Sequence, residues 1–382
     1  MKSKPKFSSL LLIILFIIII TSAFVQDNLK IIPPGTNTEN RKLADKPELD
    51  VTLLDPFPVK YENYYNDHFA FRNYFVNLYS DISLNLFRKC PFPDQVLIGT
   101  NDDLYAVRLE LDTYLRKSLF RRGEIERMRS DFTYRKEYLA KKGIDYYVVI
   151  CPTKYTVYPE FLPWYIKPLD TISPTDQFIN LMKEIDIRVV DLRKSLTAAK
   201  DSIPQQLFRK TDNHWNNLGS FVAYRSIMEQ IVKDHPEIKP LAFSDFTVIP
   251  EETVGGNLAF MLNKKHEMKD VDYIFKPNFS LDVDTVRENP YPAPSDFDPG
   301  EFFRSFYLSD TNDLPKVIFF HDSFTLSLQQ FLKYSFSGSV FIWDKWEYKL
   351  NEPIVENEKP DIYVTIVLES LLGGLCDNCV YK

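Results

Sequence analysis

Glycine is scarce in this chain, 11 in 382 residues. Neither common Gly-rich phosphate loop is present, so nucleotide or CoA binding through such a loop has no support. Cysteine is sparse too. Cys90, Cys151, Cys376 and Cys379 are too few for a disulfide framework at this length. Cys376 and Cys379 form one C-x-x-C near the C-terminus, without the second pair that a zinc ribbon needs. The pattern points to a structural role, such as a local disulfide outside the cytoplasm. No basic block or stripe occurs, and the net charge of −7 is spread with both signs mixed, which argues against a nucleic-acid partner. No internal repeat is evident. Apolar and aromatic residues are plentiful, at 45% hydrophobic with 22 Tyr and 30 Phe. That is enough for a sizeable core in one large domain or two ordinary ones.

Lys2, Lys4 and Lys6 precede an uncharged stretch from Phe7 to Val25, wholly apolar from Leu10 to Ile20. A helix of roughly 20 such residues can span a bilayer. Its basic flank keeps the N-terminal end in the cytoplasm. Residues 1–25 are therefore expected to be a transmembrane anchor, with a cleaved signal peptide as the competing reading. Both readings put the rest of the chain outside the cytoplasm. Residues 26–60 are rich in Pro, Asn, Thr and charge, a linker to a globular domain over 61–382.

Within that domain, helical spacing of apolar residues predicts a helix over 64–87 and another over 122–142 ending at Gly143. Strands are expected at 96–98, 104–105, 146–150, 187–191, 317–320, 340–342 and 362–367. Helices are expected at 175–186, 216–233 and 325–333. This alternation predicts a three-layer α/β/α domain with a mostly parallel sheet. The Pro-, Asp- and Asn-rich stretch 284–315 reads as a long surface loop.

The chemistry centres on Thr211-Asp212-Asn213-His214-Trp215. In an extended segment Asp212 and His214, at i and i+2, would point to the same side, and the carboxylate would orient the imidazole. That is the base half of a Ser-His-Asp triad. Ser323 is the candidate nucleophile, because it follows a buried strand and opens a helix whose free N–H groups could stabilise an oxyanion. As N-cap candidates, Ser323 and Asp322 also have a purely structural reading. His321 competes with His214 as the base, and Asp212, His214 and His321 together would suit a zinc or non-haem iron site. Trp215, Trp343 and Trp346 could be sugar platforms or core side chains.

Asp-Asn-His-Trp with Asn-Asn-Leu-Gly, and much later Asp-Ser-Phe after a buried strand, resembles the SGNH-hydrolase-like DHHW proteins, which include the acetyltransferases of alginate O-acetylation. Asp67 to Arg72 is similar to the family's early Phe-Arg signature. Cys151-Pro152-Thr153-Lys154, Tyr158-Pro159 and Gly255-Gly256-Asn257-Leu258 are similar to its Pro-x-Lys, Tyr-Pro and Gly-Asp-Leu segments. Two residues depart from the pattern. His321 stands where Gly is usual, a bulk that would crowd the oxyanion site, and Asn257 stands where Asp is frequent.

The resemblance implies that Asp212, His214 and Ser323 form the catalytic triad, in an order circularly permuted relative to ordinary SGNH esterases. It also implies an extracytoplasmic O-acetyltransferase without cofactor or metal. An acetyl-serine would pass its acyl group to a polysaccharide hydroxyl, and a multi-pass membrane acyltransferase would supply the acetyl group. A carbohydrate acetylesterase with the same triad, or a non-catalytic glycan-binding or assembly protein, are the alternatives.

Overall fold

The computed structural model describes residues 7–31, 43–49, 54–286, 288–293, 299–309, 313–344 and 346–377. Cys379 and the side chain of Cys376 lie outside the described residues, and so does the pairing expected of them. The chain divides into two compact units, one of Met1–Pro93 with Ala259–Lys265 and one of Asp94–Leu258 with His266–Lys382.

The first unit is helical. Helix α1 (Phe7–Leu29) covers the apolar stretch. Among the described residues no helix is long and apolar enough to cross a membrane, so the expected anchor is not shown. The single helix expected over 64–87 is instead α2 (Pro56–His68), α3 (Arg72–Asp81) and a π-turn at Ile82–Leu86. Phe69, at φ −54° and ψ 128°, ends the first helix and breaks the spacing. Asp81 pairs with Lys264.

The second unit holds the sheet. A short antiparallel pair, β1 (Val96–Ile98) and β2 (Leu104–Ala106), comes first. Helices α4 (Arg108–Tyr114) and α5 (Arg122–Lys141) follow, and α5 stops at Gly143, whose φ of +72° is one that L side chains resist. Next come β3 (Asp145–Cys151), α6 (Lys154–Val157), α7 (Pro174–Glu184), β4 (Arg188–Asp191), α8 (Leu192–Ser202) and α9 (Asn217–Ile231). A long hairpin joins β5 (Phe246–Val254) to β6 (Lys269–Pro277). The remaining strands are β7 (Val283–Val286), β8 (Phe303–Leu308), β9 (Lys316–Phe320), β10 (Gly338–Ile342) and β11 (Ile362–Leu368).

Seven strands form the main sheet in the order β4-β3-β11-β9-β10-β8-β7. The first five are parallel, and β8 and β7 add an antiparallel edge. All five parallel strands lie where strands are expected. The expected loop at 284–315 is not one loop, because most of β7 and all of β8 lie inside it. Polar residues hid β7, since a strand at a solvated edge carries no apolar run.

Alternation along β3 shows the layering. Tyr147, Val149 and Cys151 join one core with Leu196, Phe221, Ile227 and other residues of α8 and α9. Tyr146, Val148 and Ile150 join a second core with Met128, Phe132, Phe178 and Met182 of α5 and α7. A strand buried on both faces has no polar side, hence the unbroken apolar runs in the sequence. β4 lies outward of β3 and β10 outward of β9, while β11 inserts between β3 and β9. The carboxyl ends of these central strands therefore meet at a switch point, where ligands collect in open α/β sheets.

Candidate active site

β9 ends at Phe320, and His321-Asp322 lead into a 3-10 turn, Ser323–Ser327, followed by a four-residue helix, Gln329–Leu332. This pair replaces the helix expected over 325–333. The N-cap is Asp322, not Ser323. Asp322 is buried, and its Oδ1 accepts the Phe324 N–H (3.0 Å) while Oδ2 accepts the Tyr348 hydroxyl (2.7 Å) and the Leu368 N–H (2.7 Å). Burial raises the Asp322 pKa, opposed by these three donors. The carboxylate ties the turn to β11, and Ser323 is left half-buried with its hydroxyl free to do something else. Its Oγ–H donates to His214 Nε2 at 2.8 Å.

His214 reaches that hydroxyl from a tight loop. The segment is not extended as expected. Phe208 and Trp215 pair across a bridge, and residues 210–214 bend between them. Asp212 Oδ1 accepts both the His214 backbone N–H (3.1 Å) and ring Nδ1–H (2.8 Å). This Asx-type turn brings the i and i+2 side chains together without a strand. Asp212 Oδ2 accepts the Asn257 N–H at 2.9 Å. Gly256 lies so close that a Cβ there would be 2.4 Å from Asp212 Oδ2. Asp212, His214 and Ser323 thus form one hydrogen-bonded chain.

Four groups hold this loop, and of them the sequence marked only Lys154, through its Pro-x-Lys segment. Lys154 is fully buried, and its ammonium pairs with Asp103 (2.6 Å) and donates to the carbonyls of Leu104 (3.1 Å), Arg209 (2.9 Å) and Lys210 (2.9 Å). Burial lowers its pKa, opposed by Asp103. On β6, Asp270 accepts the N–H groups of Lys210 (3.0 Å) and Thr211 (2.8 Å) and the Thr211 hydroxyl (2.6 Å). Two positions on, Asp272 accepts the Asn217 N–H (2.8 Å) and pairs with Arg209. The only sequence signals were the Pro-x-Lys motif and an Asp-x-Asp alternation in a strand. Beyond the loop, Asn216 caps α9 by accepting the Gly219 N–H at 3.0 Å, an interaction worth about 1 kcal/mol.

The fourth group is Glu110 on α4. It is buried, its Oε1 accepts from Asn213 Nδ2 at 3.0 Å, and its Oε2 has no partner among the described residues. Burial pushes its pKa up to about 7, opposed by Asn213 and by the charge of His214. For His214 burial lowers the pKa, but the Asp212 carboxylate and its hydrogen bond more than offset this, and the net shift is upward. Burial likewise opposes ionisation of Asp212, yet His214 and the N–H donors hold it well below the usual carboxylate range. The electrostatics favour an imidazolium beside a carboxylate, the state a base reaches after taking a proton.

His321 is not in this chain of bonds. It is buried, and its Nδ1–H donates to the Asp322 carbonyl at 2.8 Å. Burial pushes its pKa down to about 4. Its ring packs against Phe341 and Trp343, on the β10 side. Among the described residues no group of three or more His, Cys, Asp or Glu could hold a metal ion, so Asp212, His214 and His321 do not assemble the site considered above. Trp215 is no open sugar platform either, since it is 2% exposed and its Nε1–H donates to Ser327 Oγ at 2.7 Å. Trp346 is 43% exposed and lies edge-on to Trp343.

No curated protein sequence matches the chain. Solved structures do. The fold is similar to a DHHW family protein from Eubacterium siraeum, at 14% identity and TM-score 0.52 over 75% of this chain and 100% of that one. It is also similar to Bacillus cereus PatB1, at 16% identity and TM-score 0.54 over the same shares. PatB1 with a sulfonyl adduct matches at 15% identity and TM-score 0.54, again over 75% and 100%. The family model described as SGNH hydrolase-like domain, acetyltransferase AlgX, matches residues 96–342, well over half the chain, and the chain belongs to that family.

Proposed function

We propose that the protein is an extracytoplasmic O-acetyltransferase that moves an acetyl group through an acetyl-Ser323 intermediate onto a polysaccharide hydroxyl. The observation that carries this reading is the run Asp212 Oδ1, His214 Nδ1, His214 Nε2, Ser323 Oγ, with 2.8 Å at each of its two hydrogen bonds.

In this scheme Ser323 Oγ attacks the donor carbonyl while its proton passes to His214 Nε2. Asp212 holds Nδ1–H and balances the imidazolium. The tetrahedral oxyanion collapses, the C–O bond to the leaving group breaks, and His214 returns the proton to that group. A sugar hydroxyl then repeats the sequence on the acetyl-serine, giving the acetylated sugar and free Ser323. The Phe324 and Thr325 N–H groups are engaged by Asp322 at 3.0 and 3.2 Å. The Ser323 N–H, first in its turn, remains as an oxyanion donor.

The N-terminal stretch 1–25, as anchor or cleaved signal, would put the protein on the outer side of the cytoplasmic membrane, and a multi-pass membrane acyltransferase would deliver the acetyl group. With water as acceptor the same residues make an esterase.

The test uses p-nitrophenyl acetate and an added oligosaccharide. Ser323→Ala and His214→Ala are expected to lose p-nitrophenol release by 10³-fold or more, roughly, with acetylated oligosaccharide formed only by the wild type. Intact mass should show one acetyl on the wild type and none on Ser323→Ala. Unchanged turnover in both variants rejects the reading, and acetate as the sole product favours the esterase.

A further inference from the structure

A second built site lies beside the nucleophile. A cavity of about 210 Å³ is lined by His321, Arg304, Gln329, Trp343, Leu326 and Glu301 among others. Its walls come from the residue after β9, the residue after β10, one residue of β8 and the turn that begins at Ser323. The loop carrying His214 is held instead by Lys154, just after β3. β3 and β10 lie on opposite sides of β9 in the sheet. The base loop is thus tied down on the β3 side of β9, and the cavity lies on the β10 side.

The groups on the walls have fixed and different hydrogen-bonding roles. His321 is 1% exposed, and its Nδ1 faces a backbone carbonyl, so Nδ1 carries the hydrogen and Nε2 is an acceptor. Burial keeps the ring neutral against the pull of that backbone hydrogen bond, and the cation of Arg304 acts in the same sense as burial. Among the described residues the Arg304 guanidinium makes one hydrogen bond, from Nη1 to Gln329 Oε1 at 3.2 Å, so it has further N–H donors to offer. Glu301 adds a carboxylate acceptor at the edge. Trp343 supplies an indole wall and Leu326, 44% exposed, an apolar lip.

A simple anion would meet Arg304 well but would face the His321 lone pair and the Glu301 carboxylate. An apolar ligand would strand all three. A sugar hydroxyl is both donor and acceptor and can satisfy Arg304, His321 and Glu301 together, while the C–H face of a pyranose packs on indole. At this volume the cavity takes one small unit rather than a drug-sized ligand.

We propose that this cavity is the acceptor subsite, seating one pyranose unit of the polysaccharide by its hydroxyls so that a neighbouring hydroxyl meets the acyl-serine. The inference rests on the transferase reading and adds to it the place and chemistry of acceptor recognition.

Arg304→Ala and Trp343→Leu test it on the full chain. The donor is p-nitrophenyl acetate, and the acceptors are cellotetraose, chitotetraose and a β-1,4-mannuronate tetramer. Without acceptor, both variants are expected to release p-nitrophenol within about twofold of wild type, since neither residue touches the acyl-transfer machinery. With acceptor, the concentration giving half-maximal transfer should rise about tenfold or more in each. Calorimetric titration of the same tetrasaccharides into Ser323→Ala, and into Ser323→Ala carrying Arg304→Ala, reads binding without chemistry and should show the same loss.

Unchanged acceptor dependence in both variants overturns the subsite. So does the absence of binding of all three tetrasaccharides to Ser323→Ala at about 10 mM. Persistent p-nitrophenol release by Ser323→Ala instead sinks the acyl-serine reading, a separate result.

Discussion

Trp215 Nε1 donates to Ser327 Oγ at 2.7 Å, and this bond joins the residue after His214 to the residue four after Ser323. Phe324 sits between them, edge-on to Trp215 at 5.0 Å and tilted against the His214 ring at 4.7 Å. The distance from imidazole to hydroxyl is thus set by a neighbour on each side, not by the two reacting groups. Removing the N–H while keeping an aromatic ring should loosen that distance and little else. Trp215→Phe is expected to lower kcat for p-nitrophenyl acetate by roughly 10- to 100-fold with KM nearly unchanged. Steady-state kinetics, with a melting curve to check folding, decides this.

Lys154 and Asp103 are both 0% exposed, so neither charge can fall back on water. Lys154→Met leaves Asp103 buried without its cation and frees the carbonyls of Arg209 and Lys210. The expected cost is about 3–5 kcal/mol, read from urea unfolding. The double variant Lys154→Met with Asp103→Leu should recover much of the stability but not the activity, because the loop carbonyls still lack their donor.

Gly256→Ala places a methyl 2.4 Å from Asp212 Oδ2. The carboxylate must move, and with it the imidazole it orients. Activity is expected to fall by about 100-fold or more at a stability cost of roughly 1–3 kcal/mol. Enough folded protein should remain to measure both.

The pH dependence carries a sign that Glu110 sets. Its folded pKa of about 7 lies above its ordinary value of 4.5. Stability from the neutral form is complete below the unfolded pKa and is lost as pH rises through about 7. Glu110→Gln keeps an acceptor for Asn213 Nδ2 and cannot ionise. It should match wild type near pH 5 and be more stable above pH 7, by a margin on the order of 3 kcal/mol.

His214 responds in the opposite sense. Its pKa is raised, in part by the charge of Glu110, and the base must be neutral to work. The wild-type kcat/KM should rise with pH through a pKa above 6.5, and in Glu110→Gln that limb should move to lower pH. Thermal melts and pH–rate profiles check the two claims independently.

Much of the central sheet was legible one strand at a time, because a strand buried on both faces must be apolar throughout. The Asp212–His214 pairing was legible from spacing, although the geometry that achieves it is a turn whose donors are backbone N–H groups. β5 and β6 gave no comparable signal, since Ile249, Val254, Val271 and Ile274 are exposed while Asp270 and Asp272 are buried, the reverse of the usual alternation. Glu110, Asp270 and Asp272 were likewise hidden, and Lys154 was visible as a motif residue but not as the group that grips the His214 loop. A charged residue in sequence reads as surface, and only packing reveals that it is buried and holding a loop.

By itself the sequence determined the layered α/β class and the apolar N-terminal stretch through local periodicity and the Asp212–His214 pair through short spacing, while Ser323 was reached by its place after a buried strand and by the family resemblance. Tertiary structure decided that Asp322 rather than Ser323 caps the turn, that His321 faces Trp343 and not the base, and that Lys154 grips the His214 loop. The physical reason is that each of these depends on which backbone carbonyls and N–H groups lie within about 3 Å of a side chain. Those groups come from strands and loops far apart along the chain, so they have no neighbours to predict until the sheet brings them together.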